Sequence, residues 1–281
     1  MKKFIAGLLT LTLLTLVGSS ASSLEVGKTG LEGKEVSTYL RGSFVDAKEA
    51  ESKLKNAGFE IVASYKSVKK GVTIVFTNEA LKSEAAKPGR AYAAVLRLFV
   101  DTKDKTISFT NPIYFGKAFM QDEYKHKVYN DAFKAINKEF LNLKASKERL
   151  KFDDLAGYHF MMSMPYYKEV SELASGTNES LLTKAKEYKK GKLLIFELKL
   201  SDTSTLLGYD LGKRTKRFVK KIGRQNATVL PYCISIENDK ASALDAKYYL
   251  AINYPLLSMS EFMTISTVPG AIEKDLEKPF K

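Results

Sequence analysis

The sequence has one cysteine, two histidines and no tryptophan among its 281 residues. A single cysteine, Cys233, cannot form an internal disulfide, so the stability of the fold must come from its core. Two histidines, His126 and His159, exclude a histidine-rich metal site and give poor support to a histidine-based triad. No glycine-rich phosphate loop, nucleophile elbow, calcium loop or zinc spacing occurs either. The sequence therefore predicts no catalytic residue, no metal site and no cofactor.

Long apolar runs are also lacking after the N-terminus. Residues 4–17 form an uncharged apolar run of about 14 residues, whereas a membrane-spanning helix needs about 20. This run follows Lys2 and Lys3 and precedes small residues at positions 19–23, a pattern typical of a secretory signal peptide. We assign the signal peptide to residues 1–23. The sequence thus predicts a soluble, periplasmic protein without a transmembrane segment in its mature chain.

Basic residues outnumber acidic ones by 45 to 32, a formal charge of +13. Loss of Lys2 and Lys3 with the signal peptide leaves +11, so the basic character belongs to the mature chain. Such an excess favours an anionic small molecule, a lipid surface or an acidic envelope protein as the partner. Nucleic acid is disfavoured, because the protein is exported and no recognition module is visible. The oligomeric state stays open.

Two halves of the chain resemble each other. Residues 87–96 align without a gap with residues 221–230 and match at Lys, Gly, Arg, Ala, Val and Leu. Further on, Phe-Met occurs at positions 119–120 and again at 262–263. Several matches in the same order indicate two tandem copies of one unit. We place the first copy at residues 24–143, a linker at 144–156 and the second copy at 157–281.

Local signals inside each copy predict the same order of elements, β-α-β-β-α-β-β. The first helix is capped by Asp46 and stopped by Gly58, and its counterpart is capped by Thr177 or Asn178 and stopped by Gly191. The predicted strands cover residues 36–44, 59–65, 72–76, 92–100 and 106–110 in the first copy, and 157–164, 193–200, 205–211, 229–236 and 247–252 in the second. Short helices are predicted at 79–87 and 213–222, and a long helix at 122–143. The fold class is α+β, with helices packed on a mainly antiparallel sheet in each copy.

Three short motifs support this fold. Ala57-Gly58-Phe59 is a helix leading into a Gly-Phe step, Asn78 follows a strand, and Leu230-Pro231 leads into a hairpin. In these steps and in its order of elements the chain resembles the bacterial domain of unknown function 302, as two tandem copies. The resemblance implies the α+β fold and no established activity.

One segment of the second copy is strongly basic. Seven cations lie on and just after its short helix: Lys213, Arg214, Lys216, Arg217, Lys220, Lys221 and Arg224. The corresponding first-copy segment, residues 79–90, mixes acidic and basic residues and is nearly neutral. This difference predicts a binding site for an anionic ligand or partner, and a solvated basic face is the alternative.

Other chemistry-bearing residues are assigned structural roles. A copper(I) site is one interpretation of the methionine-rich stretch Met161, Met162 and Met164, because thioethers are soft ligands. Packing of these side chains in the core is the preferred interpretation. His159 is expected to pack in a half-buried strand and His126 to be solvated on a helix. Cys233 is expected to be a small buried apolar residue.

The sequence favours an exported, non-catalytic protein that binds an anionic or amphipathic ligand, or an envelope partner, in the cleft between its copies. The alternative is a periplasmic small-molecule enzyme that uses carboxylate or tyrosine chemistry, which requires a buried pair of titratable groups facing a pocket. A third hypothesis, a structural or envelope-interaction protein, requires a large exposed apolar patch and no pocket.

Overall fold

Antiparallel sheets covered by helices make up the computed structural model of this chain, which describes residues 29–281. The fold class is α+β, as predicted. The predicted signal peptide, residues 1–23, lies outside the described residues. Within residues 29–281, no helix is long and apolar enough to cross a bilayer. Leu31–Lys281 forms a single compact unit that contains all the sheets.

The described residues contain thirteen strands and eight α-helices. The strands are β1 (Glu35–Ser37), β2 (Tyr39–Ser43), β3 (Glu60–Val68), β4 (Gly71–Thr77), β5 (Leu96–Asp101), β6 (Thr106–Thr110), β7 (Lys144–Ala145), β8 (Arg149–Lys151), β9 (Ser171–Ser175), β10 (Leu194–Lys199), β11 (Ser204–Tyr209), β12 (Tyr232–Glu237) and β13 (Lys240–Ala243). The helices are α1 (Ala47–Asn56), α2 (Glu79–Ala85), α3 (Pro112–Met120), α4 (His126–Glu139), α5 (Asn178–Glu187), α6 (Ala246–Asn253), α7 (Met259–Thr264) and α8 (Val268–Glu277).

The two larger sheets share one pattern of connections. The first has the order β3-β4-β5-β6-β2-β7 and the second the order β10-β11-β12-β13-β9, and all neighbouring strands are antiparallel. In each sheet a strand, a helix and two hairpins follow one another, with the opening strand paired to the last strand of the second hairpin. A small ribbon, β1 paired with β8, completes the strands. The interpretation as tandem copies stays a prediction.

The predicted caps of the first helix in each half are confirmed. The Asp46 carboxylate accepts hydrogen bonds from the Lys48 and Glu49 N–H groups at the start of α1. The Thr177 hydroxyl accepts from Ser180 N–H at the start of α5. After α1 the chain reverses at Gly58, whose φ of 84° is a left-handed conformation that favours glycine.

Two predicted strands of the second half are wrong. Residues 157–164 form turns and bends rather than a strand, and β9 takes the place of the opening strand. Residues 247–252 lie in α6, whose N-cap is Asp245, and the Asp245 carboxylate accepts a hydrogen bond from Lys247 N–H. Helix α6 is buried on nearly all sides, so its sequence shows no helical alternation of apolar and polar residues and resembles that of a buried strand.

Three further boundaries differ from the sequence-based expectation. Residues 144–156, predicted as a linker, contribute β7 to the first large sheet and β8 to the small ribbon. The helix predicted at 122–143 is shorter and is α4. The segment predicted as a helix at 213–222 is a 3-10 helix, Thr215–Lys220.

Two tyrosine hydroxyls donate hydrogen bonds to backbone carbonyl groups at the carboxyl-terminal end of α6. Tyr39 on β2 donates to the Asn253 carbonyl at 2.9 Å, and Tyr114 on α3 donates to the Ile252 carbonyl at 2.8 Å. The last carbonyl groups of a helix have no hydrogen-bond partner within the helix. The two tyrosines provide the donors that these buried carbonyl groups would otherwise lack. The core therefore runs without a break from the first half of the chain into the second.

Candidate anion-binding groove

The basic segment, residues 213–224, is anchored to the body of the protein on one side. Phe218 and Val219 in its 3-10 helix are buried, at 3% and 2% exposure. At the start of the segment, Asp275 of α8 accepts hydrogen bonds from Gly212 N–H at 2.9 Å and from the Thr215 hydroxyl at 2.6 Å. With the apolar residues turned inward, Arg217 and Lys220 are exposed.

Two hairpin turns of the first sheet lie opposite this segment. The β3–β4 turn and the β5–β6 turn, together with the basic segment, enclose a groove of about 970 Å³. We call it the basic groove, and it is lined by Lys66, Val68, Lys69, Lys70, Lys103, Lys213, Lys216, Arg217, Val219, Lys220 and Arg224. Nine of these eleven residues are cationic and none is acidic, so the groove concentrates positive charge.

Three of the nine cations are held by carboxylates. Lys216 contacts Asp210 at 2.7 Å between Nζ and Oδ2, Arg224 contacts Asp101, and Lys103 contacts Asp104. Within the described part of the chain, the other six make no ion pair or side-chain hydrogen bond: Lys66, Lys69, Lys70, Lys213, Arg217 and Lys220. The groove thus has six cationic groups available for a ligand.

Arg224 fastens the basic segment to both hairpin turns. Its Nε lies 2.7 Å from Asp101 Oδ2, and one of its terminal nitrogens donates to the Lys70 carbonyl at 2.6 Å. The Asp101 side chain is 1% exposed and also accepts from Lys103 N–H within its own turn. Burial opposes ionisation of Asp101, yet the Arg224 guanidinium and the turn N–H groups hold the pKa of this carboxyl below its usual value. Arg224 is therefore a positioning residue for the groove.

The ion pair between Asp101 and Arg224 should make the stability of the protein depend on pH. The pKa of Asp101 is lower in the folded state than in the unfolded state. The ionised carboxylate therefore contributes fully to the free energy of unfolding above the ordinary carboxyl pKa of about 4, and this contribution is lost as the pH falls through the pKa of the folded state. We expect the urea midpoint of the unmodified protein to fall more between about pH 5 and about pH 2 than that of Asp101→Asn. Equal falls in the two proteins would contradict this assignment.

Asp210 and Lys216 form a second charged pair at the edge of the groove. Burial raises the pKa of Asp210 even though Lys216 favours its ionised form. One carboxylate oxygen, Oδ1, is buried and has no hydrogen-bond partner among the described residues. Lys216 lines the groove, whereas Asp210 does not. The pair therefore does not present two titratable groups to one pocket.

The structure brings together five of the seven predicted site residues. Lys213, Lys216, Arg217, Lys220 and Arg224 line the basic groove. The other two, Arg214 and Lys221, do not, and Lys221 Nζ instead donates to the Thr264 carbonyl at the end of α7, at 2.6 Å.

Four cationic lining residues are not among the predicted site residues: Lys66, Lys69, Lys70 and Lys103. The first three are close together in the sequence, and this cluster of lysines was a usable signal. Sequence gives no sign, however, that two hairpin turns of the first half face a segment of the second.

The methionine-rich segment does not fill the core as expected. Met161 and Met162 are 44% and 91% exposed. The chain turns here, since Met164 N–H donates to the Met161 carbonyl and Ser163 has a φ of 69°. A turn that pairs with no strand leaves its side chains at the surface, so the prediction of core packing is wrong for Met161 and Met162.

The remaining candidates have local roles. His159 lies in the same turn rather than in a strand, with its ring 4.4 Å from that of Tyr166. His126 opens α4 and is half-buried, 3.2 Å from the Tyr124 hydroxyl, and burial lowers its pKa. Cys233 is buried on β12, as predicted. Across residues 29–281, no three His, Cys, Asp or Glu side chains are grouped so as to hold a metal ion.

No protein-family model, curated protein or solved structure matches this chain. The resemblance to the bacterial domain of unknown function 302 therefore stays a prediction.

Proposed function

We propose that this is an exported, non-catalytic protein that binds a polyanionic ligand in the basic groove. The observation that carries the proposal is the set of six unpaired cations that share one concave surface. Export to the periplasm rests on the signal-peptide pattern at residues 1–23, and membership of the bacterial domain of unknown function 302 family rests on the short motifs of the sequence.

The lining of the groove favours a ligand with several charges. A volume of about 970 Å³ far exceeds the space that a single phosphate or sulfate occupies. Five of the six unpaired cations are lysines, which act as mobile point charges rather than as rigid forks for one carboxylate or phosphate. The groove therefore fits a chain that carries repeated phosphate or sulfate groups better than it fits one small anion.

The shape of the site favours a chain over a flat lipid surface. The cations come from β3, from two hairpin turns and from the basic segment, so they line a groove formed by several elements rather than one exposed face. The enzyme alternative lacks support in this groove, because its lining contains no carboxylate and Asp210 is paired with Lys216. Binding is thus the function that the geometry supports best.

A triple variant tests the proposal: Lys213→Gln, Arg217→Gln and Lys220→Gln. These side chains have no partner among the described residues, so the fold should be unaffected, within about 0.5 kcal/mol of unfolding free energy. Each lost ion pair costs up to about 1 kcal/mol, so affinity for a fluorescent linear polyphosphate should fall about 10- to 30-fold. Fluorescence anisotropy at low salt measures this change.

A matched control places the same charge change outside the groove. Lys48, Lys55 and Lys134 are exposed on α1 and α4 and do not line the groove, so their triple change to glutamine should leave the affinity unchanged. Equal losses in the two triple variants would mean that only net charge matters. Binding to phosphatidylglycerol vesicles but not to polyphosphate would instead show that a lipid surface presents the anion.

A further inference from the structure

A second site with a cationic group is buried in the interior. Arg97 on β5 is only 4% exposed. One of its terminal nitrogens lies 2.9 Å from Cys233 Sγ and 3.3 Å from the Pro231 carbonyl. Its Nε is buried and has no hydrogen-bond partner among the described residues. The guanidinium is therefore only partly satisfied by the protein.

The described residues place no carboxylate beside Arg97 to balance its charge. Across residues 29–281, no carboxylate lies within ion-pair distance of it. The neighbouring groups that can ionise are Cys233, Tyr249 and Tyr65, and burial raises the pKa of all three, that of Tyr249 to about 12. All three are neutral near pH 7, and an unbalanced buried cation is strongly unfavourable.

A small cavity adjoins this guanidinium. It has a volume of about 10 Å³ and is lined by Tyr92, Arg97, Phe119, Tyr232, Cys233, Leu244 and Tyr249. A volume of this size holds a single particle as large as a water molecule.

The tyrosines that line this cavity do not balance the positive charge of Arg97. The Tyr92, Tyr232 and Tyr249 hydroxyls donate to the backbone carbonyls of Ser242, Leu244 and Val229, respectively. Their ring edges carry partial positive charge, as does the ring edge of Phe119. The wall of the cavity thus combines one full positive charge with aromatic rings and a neutral thiol.

We propose that this cavity binds a chloride ion, which balances the charge of Arg97. A monatomic halide is only slightly larger than water, whereas sulfate and phosphate are too large for the space. The ion would lie between β5 of the first sheet and β12 of the second, and would join them electrostatically. The site is separate from the basic groove, and neither proposal depends on the other.

Anomalous diffraction from crystals of the unmodified protein grown in sodium bromide tests the site directly. A bromide peak beside the Arg97 guanidinium is the expected result. Density without anomalous signal at this position would show that the cavity holds water, and would overturn the proposal.

Thermal unfolding gives an independent test in solution. A ligand that binds only the folded state raises the midpoint, and replacing gluconate by chloride at constant ionic strength should raise it by about 2 to 4 °C. Arg97→Met should show no such dependence, and Arg90→Met, which changes an arginine outside this cavity, should retain it. A midpoint that does not respond to chloride in the unmodified protein would overturn the proposal.

A Cys233 thiolate is the alternative to chloride as the negative charge beside Arg97. If Cys233 were a thiolate, the unmodified protein would absorb more at 240 nm near pH 7 than Cys233→Ser does. Because Cys233 is the only cysteine, this difference reports on one group. Equal absorbance is expected, and a thiolate signal would show that the protein balances Arg97 without an ion.

Discussion

Replacing Arg224 by methionine should lower the free energy of unfolding by about 3 kcal/mol. The change leaves the Asp101 carboxylate, 1% exposed, without its guanidinium, and removes the bond to the Lys70 carbonyl. Loss of one partner of a buried pair costs far more than loss of an exposed pair, because the remaining charge stays desolvated. Urea unfolding at pH 7, followed by circular dichroism, measures the change.

A matched arginine substitution separates this effect from a general loss of charge. Arg149 pairs with Glu35 at the surface, where the two side chains are 48% and 57% exposed. Arg149→Met should therefore cost less than about 1 kcal/mol. Equal losses of unfolding free energy in the two variants would contradict the role of Arg224 in joining the basic segment to the two hairpin turns. Arg224→Met should also weaken polyphosphate binding, because the two hairpin turns are no longer tied to the basic segment.

Phe119→Ala should cost about 3 to 5 kcal/mol of unfolding free energy. The Phe119 ring is 3% exposed and stacks on Tyr167 and Tyr249, at 5.9 and 6.5 Å between centroids. It also contacts Phe115 on its own helix, so its removal opens a cavity where α3 meets the second half of the chain. The loss is measured by urea unfolding, with the slope of the transition compared with that of the parent.

Phe160→Ala is the control for removal of an aromatic ring. Phe160 is half-buried and contacts the ring of Phe262 at 5.4 Å, next to the exposed methionine turn. Its loss should cost about 1 kcal/mol. A cost for Phe119→Ala as small as this would mean that the aromatic contact between the two halves contributes little to stability.

Local signals predicted the elements whose boundaries depend on neighbouring residues. Asp46 and Thr177 cap their helices as expected, and Cys233 lies in a buried strand, because capping and the burial of a strand are properties of a few consecutive residues. Residues 247–252 resemble a strand in the sequence because a run buried on nearly all sides has no helical periodicity, and the cap at Asp245 is the only local sign of the helix.

Only half of the candidate site could be read from the sequence. The basic segment stands out because its charges are consecutive, and five of its seven cations line the groove. Lys103 comes from a hairpin turn more than a hundred residues before Lys213, and only the tertiary fold brings the two residues to the same groove. Arg97 gave no signal at all, since one arginine in an apolar strand looks like an exposed position.

The tyrosine hydroxyls of Tyr39 and Tyr114, which donate to the last carbonyls of α6, make the two halves depend on each other. A fragment that begins after α4 would contain the helix without these two donors, and two carbonyl groups in its interior would be left without them. The reciprocal fragment would keep the tyrosines but lose their acceptors. Separating the halves would thus leave buried donors in one and buried acceptors in the other without partners, so unfolding of residues 29–281 should be a single cooperative transition.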